Sequence, residues 1–198
     1  MGQAHYDRRM SKETRYTSNH VGLGFRVGET STVQESVLNL LMDAAGVEHT
    51  ELEVRQVLAL PRSSVQRALK ELVEQGLVVS RSVGRTRLYS LDADDPMIRH
   101  LKIARAIARA RQVLSPVVDR IDLAVLFGSA SRGEDTLGSD LDLLVVSEVP
   151  EAVLEELARY EWLQPVVLTP SGHMQVLAEG GTFAHALASG IKVAGRDG

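Results

Sequence analysis

Five residues within the span 128–142 have the types and spacing to do chemistry: Gly128, Ser129, Arg132, Asp140 and Asp142. An apolar run delivers Gly128-Ser129, followed by Ala130-Ser131-Arg132-Gly133. Glycine lets the backbone approach a polyanion closely. The Ser129 amide and hydroxyl can donate to phosphate oxygens, and the turn opens a helix whose N-terminus favours anions. Arg132 can add a charge-assisted contact. Asp140 and Asp142 stand two apart on a strand, so both carboxylates share one face. Paired hard oxygens of this kind hold Mg²⁺, which keeps some water and takes its remaining ligands from substrate phosphates. The pattern therefore points to a triphosphate and a divalent cation bound at one place. His173, after Thr169-Pro170-Ser171-Gly172, is a further base within reach of such a pocket, although the sequence reads it as a solvent-exposed loop residue.

These residues need a frame. Leu123–Phe127 reads as an apolar strand. Asp140–Val146 reads as a second, with Leu141, Leu143 and Val145 opposite Asp140, Asp142 and Leu144. A helix over Pro150–Glu161, a strand over Leu163–Leu168, a helix over Phe183–Ser189 and a closing strand over Ile191–Ala194 follow. Upstream, Asp92–Pro96 is a linker and helix start, with acids at the positive end of the dipole. The helix from Met97 to Leu114 shows Met97, Leu101, Ala104 and Ala108 as its apolar stripe. Ile98, Ile107 and Leu114 join that stripe, and Arg99, Lys102, Arg105 and Arg109 lie mostly off it.

Residues 31–92 read differently. Ser31 or Thr32 caps a helix burying Val33, Val37, Leu38, Leu40 and Leu41, and Gly46 ends it. Thr50 caps a short second helix. Pro61 breaks the chain before a third, started by Ser63 or Ser64, with Val65, Leu69, Leu72 and Val73 on one face. Leu77–Arg81 and Arg87–Leu91 are strands around the turn Ser82–Arg85. The third helix leaves Arg62, Ser63, Ser64, Gln66, Arg67 and Lys70 outside, a hydrogen-bonding face suited to the major groove. Arg81, Arg85 and Arg87 on the hairpin are suited to phosphate or minor-groove contact.

The bulk numbers agree with two units. The net charge is −4, but residues 1–118 carry 17 Lys/Arg against 13 Asp/Glu, and residues 119–198 carry 5 against 13. There is no cysteine, which excludes disulfides and thiolate metal sites. No apolar run has the length of a membrane span, and no signal peptide is visible, so a cytoplasmic protein without a membrane partner is expected. Residues 1–30 lack periodicity and read as a partly flexible arm, with a short strand near Leu23–Val27.

Two resemblances attach to these residues. The run Ser64 to Val78 resembles the recognition helix and first wing strand of winged helix-turn-helix regulators of the MarR and ArsR type. The Gly-Ser turn followed by Asp140-Leu141-Asp142-Leu143 resembles the DNA polymerase-β nucleotidyltransferase superfamily, and within it the minimal nucleotidyltransferases of prokaryotic toxin–antitoxin pairs. The fold class expected is a two-domain α/β (α+β) protein. A winged helix over 31–92 precedes a nucleotidyltransferase-like unit over 93–198, a small mixed sheet flanked by helices, with a connecting helix at 96–115. The superfamily resemblance implies transfer of NMP from an NTP, with Asp140 and Asp142 catalytic and holding metal, and a third carboxylate on a later strand. Here the sequence departs from the pattern. In Trp162–Thr169 the inward positions are Pro165 and Val167, or Gln164 and Val166, and neither register supplies an acid; Glu148 and Glu161 are poorly placed.

The expected function is a DNA-binding transcriptional regulator whose second unit binds NTP with Mg²⁺, with catalysis weak or lost. The alternatives are an active transferase acting on a protein, RNA or small molecule, in a toxin–antitoxin setting, and a non-catalytic interaction module. The partners expected are duplex DNA, a nucleoside triphosphate, a second copy in a homodimer, and in the transferase reading an acceptor.

Overall fold

The computed structural model describes residues 32–195. The expected strand near Leu23–Val27, with the rest of the arm, lies outside them. Thr32 starts α1 (Val33–Asp43). Its hydroxyl accepts from the Glu35 amide, and the Glu35 carboxylate accepts from the Thr32 amide. Thr50 and Glu53 repeat that reciprocal cap at α2 (Glu51–Leu58). Each cap satisfies donors that a helix start otherwise leaves open. Between them lies β1 (His49–Thr50), a strand too short to show a period in the sequence.

Next comes α3 (Arg62–Glu74). It starts directly after Pro61, earlier than Ser63: Pro61 takes the N-cap position with extended backbone, and its carbonyl accepts from the Ser64 and Val65 amides. β2 (Val79–Val83) and β3 (Thr86–Ser90) form a hairpin, and Val83 faces Thr86 across Gly84-Arg85. The turn is shorter than expected because Gly84 takes φ +60, a left-handed value suited to two-residue hairpin turns. β1 adds to this sheet through His49 opposite Tyr89. Val37, Leu41, Val54, Val65, Leu69 and Leu72 form the core beneath it.

α4 (Pro96–Leu114) crosses the molecule. Its buried face differs from the expected stripe. Met97 is 58% exposed and Ala104 is also exposed, whereas Ile98, Lys102, Arg105, Ala106, Ala110 and Val113 are buried. Their spacing is still helical, but two of the inward positions are charged. Ile98 belongs to the first core, and Ala106, Ala110, Val113 and Leu114 belong to a second.

The second core supports a mixed sheet. After a 3₁₀ segment (Ser115–Arg120) come β4 (Leu123–Phe127), α5 (Gly128–Arg132), β5 (Leu141–Val146), α6 (Pro150–Leu157), β6 (Leu163–Leu168), α7 (Pro170–Glu179), α8 (Gly181–Ala188) and β7 (Ile191–Gly195). The strand order is β6-β5-β4-β7, antiparallel except for the parallel pair β5 and β6. Ala124, Leu126, Leu141, Leu143 and Val145 pack on one face with α4 and α6. Val125, Leu144, Val146 and Leu187 pack on the other, with Phe183 and Val176 beside them. This is the mixed α/β architecture expected, and the alternation expected along β5 is observed. α7 was not expected. Thr169 caps it by accepting from the Gly172 amide, and Pro170 takes its first position, so His173 sits on a helix and not in an exposed loop.

Candidate functional site

β4 and β5 are antiparallel neighbours, and their register places Phe127 opposite Asp142. The turn leaving β4 therefore meets the carboxylate entering β5. Gly128 has φ +72, and a Cβ built there would lie 2.0 Å from Asp142 Oδ2 and 2.9 Å from its Cγ. Only glycine fits here, for its backbone angle and for the space the carboxylate occupies. The turn is also tied down. The Gly128 carbonyl accepts from Ser131 Oγ at 2.8 Å and from Arg132 Nη1 at 2.9 Å. Arg132 Nε donates to Glu134 Oε2 at 2.8 Å, and the Ser129 carbonyl accepts from the Glu134 amide at 3.0 Å. The Ser129 side chain is half-buried beside them. Since α5 spans only five residues, the local amides of the turn, more than a helix dipole, are what an anion would meet.

Asp140 lies immediately before β5 and is exposed, and Asp142 is half-buried. Burial raises the Asp142 pKa, the neighbouring Asp140 charge raises it further, and Arg132 pulls it down. A cation between the two carboxylates would relieve that repulsion. Ser139 Oγ accepts from the Thr136 amide at 2.9 Å and so shapes the loop that enters β5.

The parallel pairing of β5 and β6 places Gln164 opposite Asp142, which settles the register left open by the sequence. Gln164 Nε2 donates to Asp140 Oδ2 at 3.4 Å. A neutral amide thus stands beside the two acids. Among the described residues no cluster of three or more His, Cys, Asp or Glu is positioned to hold a metal. The donor set present, two hard carboxylates next to a cradle that a Cβ would fill, fits one Mg²⁺ completed by water and phosphate oxygens.

In the first unit, Arg62, Ser63, Gln66, Arg67 and Lys70 are exposed along α3, and Ser64 is half-buried. Arg62 Nε donates to Glu51 Oε2 at 3.2 Å, Gln66 reaches the same oxygen at 3.4 Å, and Lys70 lies 3.7 Å from Glu74. Arg81 forms a two-pronged pair with Glu48, which raises its pKa and lowers that of Glu48. Arg67, Arg85 and Arg87 are exposed, with no ion pair among the described residues. A groove lined by Gln66, Lys70, Arg87 and Tyr89 joins α3 to the hairpin. So the structure brings the α3 residues and Arg87 to one surface, while Arg62 and Arg81 are already engaged by acids.

The sequence reading missed a third group of residues. Arg105 and Lys102 are buried in α4 among Asn39, Asp43 and Asp135. Lys102 and Arg105 fall at helical spacing with Ile98, Ala106 and Ala110, which was the available signal, and the competing apolar stripe concealed it. Desolvation lowers the Lys102 pKa, and the neighbouring Arg105 adds to that, while Asp135 and Asp43 oppose it.

Residues 105–170 match the family model described as a nucleotidyltransferase domain. No curated protein matches the sequence. Among solved structures, a Sulfolobus solfataricus protein described as a nucleotidyltransferase is 21% identical, with 38% of this chain and 77% of that one covered, at a TM-score of 0.31. A toxin–antitoxin structure with AMP-PNP is 18% identical over 46% and 73%, also at 0.31. Lactococcus lactis ZitR in complex with DNA is 20% identical over 60% and 86%, at 0.34.

Proposed function

We propose that the chain is a DNA-binding regulator whose nucleotidyltransferase domain binds a nucleoside triphosphate with Mg²⁺ and transfers NMP weakly or not at all. Residues 31–92 form the winged helix in this reading, and 93–198 the nucleotide unit. The observation that carries the proposal is the contact of the Asp142 carboxylate with Gly128. It brings a phosphate-accommodating turn and a cation-holding pair into one site. Ser129 and the turn amides bind phosphate oxygens, and Arg132 neutralises them. Asp140 and Asp142 hold the cation, which when bound supplies charge neutralisation and Lewis acidity at the phosphates. Gln164 supports binding over transfer, because it sets an amide where a further acid would strengthen a second cation site. The α3 face and Arg87 bind duplex DNA, with Arg67 and Arg85 free to reach it.

The intact Asp140–Asp142 pair favours a second reading, in which the domain transfers NMP to an acceptor. One experiment separates the two. Each labelled NTP is incubated with protein and Mg²⁺, alone and with cell extract. Binding without transfer supports the regulator. Label transfer that Asp140→Ala abolishes supports the transferase, and absence of binding rejects both. In parallel, affinity for duplex DNA is measured against salt. It should fall with rising salt and weaken in Arg67→Ala and Arg85→Ala. Unchanged affinity in both variants removes the DNA surface.

A further inference from the structure

The loop between the phosphate turn and the carboxylate strand does not hang free. It runs along α4 and ends on α1. At its start, Gly133 is pressed against α4, and a Cβ there would lie 2.4 Å from the Arg99 carbonyl oxygen. Lys102 Nζ then donates to the Asp135 carbonyl and lies 3.8 Å from its Oδ1. Arg105 Nη2 is shared, 3.3 Å from Asp135 Oδ2 and 2.7 Å from Asp43 Oδ1 at the end of α1. Its Nη1 reaches the Asn39 carbonyl and side-chain oxygens, each at 3.4 Å. The Leu137 amide closes the path by donating to the Asp43 carbonyl at 3.0 Å. Both cationic side chains are only 6% exposed.

We propose that this Asp43–Arg105–Asp135–Lys102 clasp couples the nucleotide site to the α3 face, so that nucleotide and duplex DNA each change the affinity of the other. The inference rests on the nucleotide and DNA readings above. The first link is Arg132. A phosphate that engages its guanidinium competes with Glu134, which holds Nε at 2.8 Å and adjoins Asp135. Movement of Asp135 changes how Arg105 is divided between two carboxylates. Burial makes that division matter, because a desolvated cation left with one partner fewer is strongly disfavoured. Asp43 terminates α1, whose Val37 and Leu41 share a core with Val65 and Leu69 of α3. A shift at Asp43 thus reaches the helix that would face DNA. An apolar contact would hold α4 to α1 equally well, but it would not respond to charge arriving at Arg132.

The test uses the full chain, Mg²⁺, a non-hydrolysable analogue of each common NTP, and a random-sequence duplex. Affinity for duplex is measured by fluorescence anisotropy with and without saturating analogue, and analogue affinity by calorimetry with and without duplex. The two ratios must agree, since coupling is reciprocal, and a change of about 5-fold or more is expected. Asp43→Asn and the exposed Glu134→Gln should each bring the ratio close to one while each ligand alone still binds. Because Asp43→Asn removes a charge that faces the buried Arg105, its fold is checked by circular dichroism; Glu134→Gln carries the test if it unfolds. Hydrogen exchange of the wild-type chain gives a measurement free of variants: the analogue should alter protection at the end of α1. A ratio of one with both ligands bound, or a ratio unchanged in the folded variants, overturns the clasp and leaves the two binding readings standing. Failure of the wild-type chain to bind any analogue instead overturns the nucleotide reading, and the clasp with it.

Discussion

Gly128→Ala is the sharpest perturbation of the proposed nucleotide site. Gly128 sits at φ +72, and a Cβ would lie 2.0 Å from Asp142 Oδ2. The backbone contributes a loss of about 1–2 kcal/mol, the usual cost of a left-handed conformation in an L-residue. The second contribution is steric. Non-bonded heavy atoms settle about 3.5 Å apart, so the carboxylate must retreat by roughly 1.5 Å. An off-rotamer shift of Asp142 to make that room costs about 0.5–1.5 kcal/mol. The folded state should therefore lose about 1.5–3.5 kcal/mol, read as a lower midpoint in urea with an unchanged slope.

The steric part falls on the ligand as well. A carboxylate displaced by more than an ångström no longer shares a cation with Asp140, and affinity for the Mg²⁺–nucleotide complex should weaken at least about tenfold, or 1.4 kcal/mol. Gly84→Ala is the matched control. Its φ of +60 carries the same backbone strain, but nothing lies within 4 Å of the added Cβ. It should lose about 1–2 kcal/mol of stability and keep full nucleotide affinity. Equal stability losses in the two variants, together with wild-type nucleotide affinity in Gly128→Ala, would show that the turn and Asp142 do not form one site.

Two further outcomes test the carboxylates. The Asp142 pKa is raised in the folded state, so above that value the charged form disfavours folding relative to the unfolded chain, and the cost disappears as pH falls through the carboxylate range. Asp142→Asn should therefore raise Tm at neutral pH without metal, lose that advantage in acid, and gain nothing from Mg²⁺; a lower Tm at neutral pH contradicts the assignment. Gln164→Glu places a third acid opposite Asp142 and should lower Tm without metal while tightening Mg²⁺ binding, read by thermal shift across a Mg²⁺ titration. An unchanged response to Mg²⁺ in that variant would remove Gln164 from the site.

Local chemistry was legible in the sequence wherever it acts within a few residues. Thr50, and Thr32 as one of two candidates with Ser31, could be read as helix starts because a cap acts within a few residues; the structure adds Glu35 and Glu53 as their reciprocal partners. The alternation of β5 was equally plain, since a two-residue period fixes which face each side chain takes. The register of β5 on β6 was not, and the sequence left Gln164 and Pro165 as equal candidates. Pairing between strands separated by a helix depends on how that helix packs. α7 was hidden for a different reason: Pro170 and Gly172 resemble a turn, but proline at the first helical position is permitted, and Thr169 supplies the cap.

α4 shows most clearly where pattern reading stops. A single apolar stripe is expected when a helix serves one core, whereas this helix serves two. Ile98 and Leu101 serve the first core, Ala106 to Leu114 close the second, and Lys102 and Arg105 lie between them. At that turn the inward positions are Lys102 and Arg105, met by Asp43 from α1 and Asp135 from the loop that follows the Gly128 turn. Burial of these charges is tolerable only because acids from two distant parts of the chain converge on them, at separations of 62 and 30 residues for Arg105. No local period encodes such a meeting. The seam between the two cores is therefore ionic where the cores on either side are apolar, and it lies between the turn that would receive a phosphate and the helix that would meet DNA.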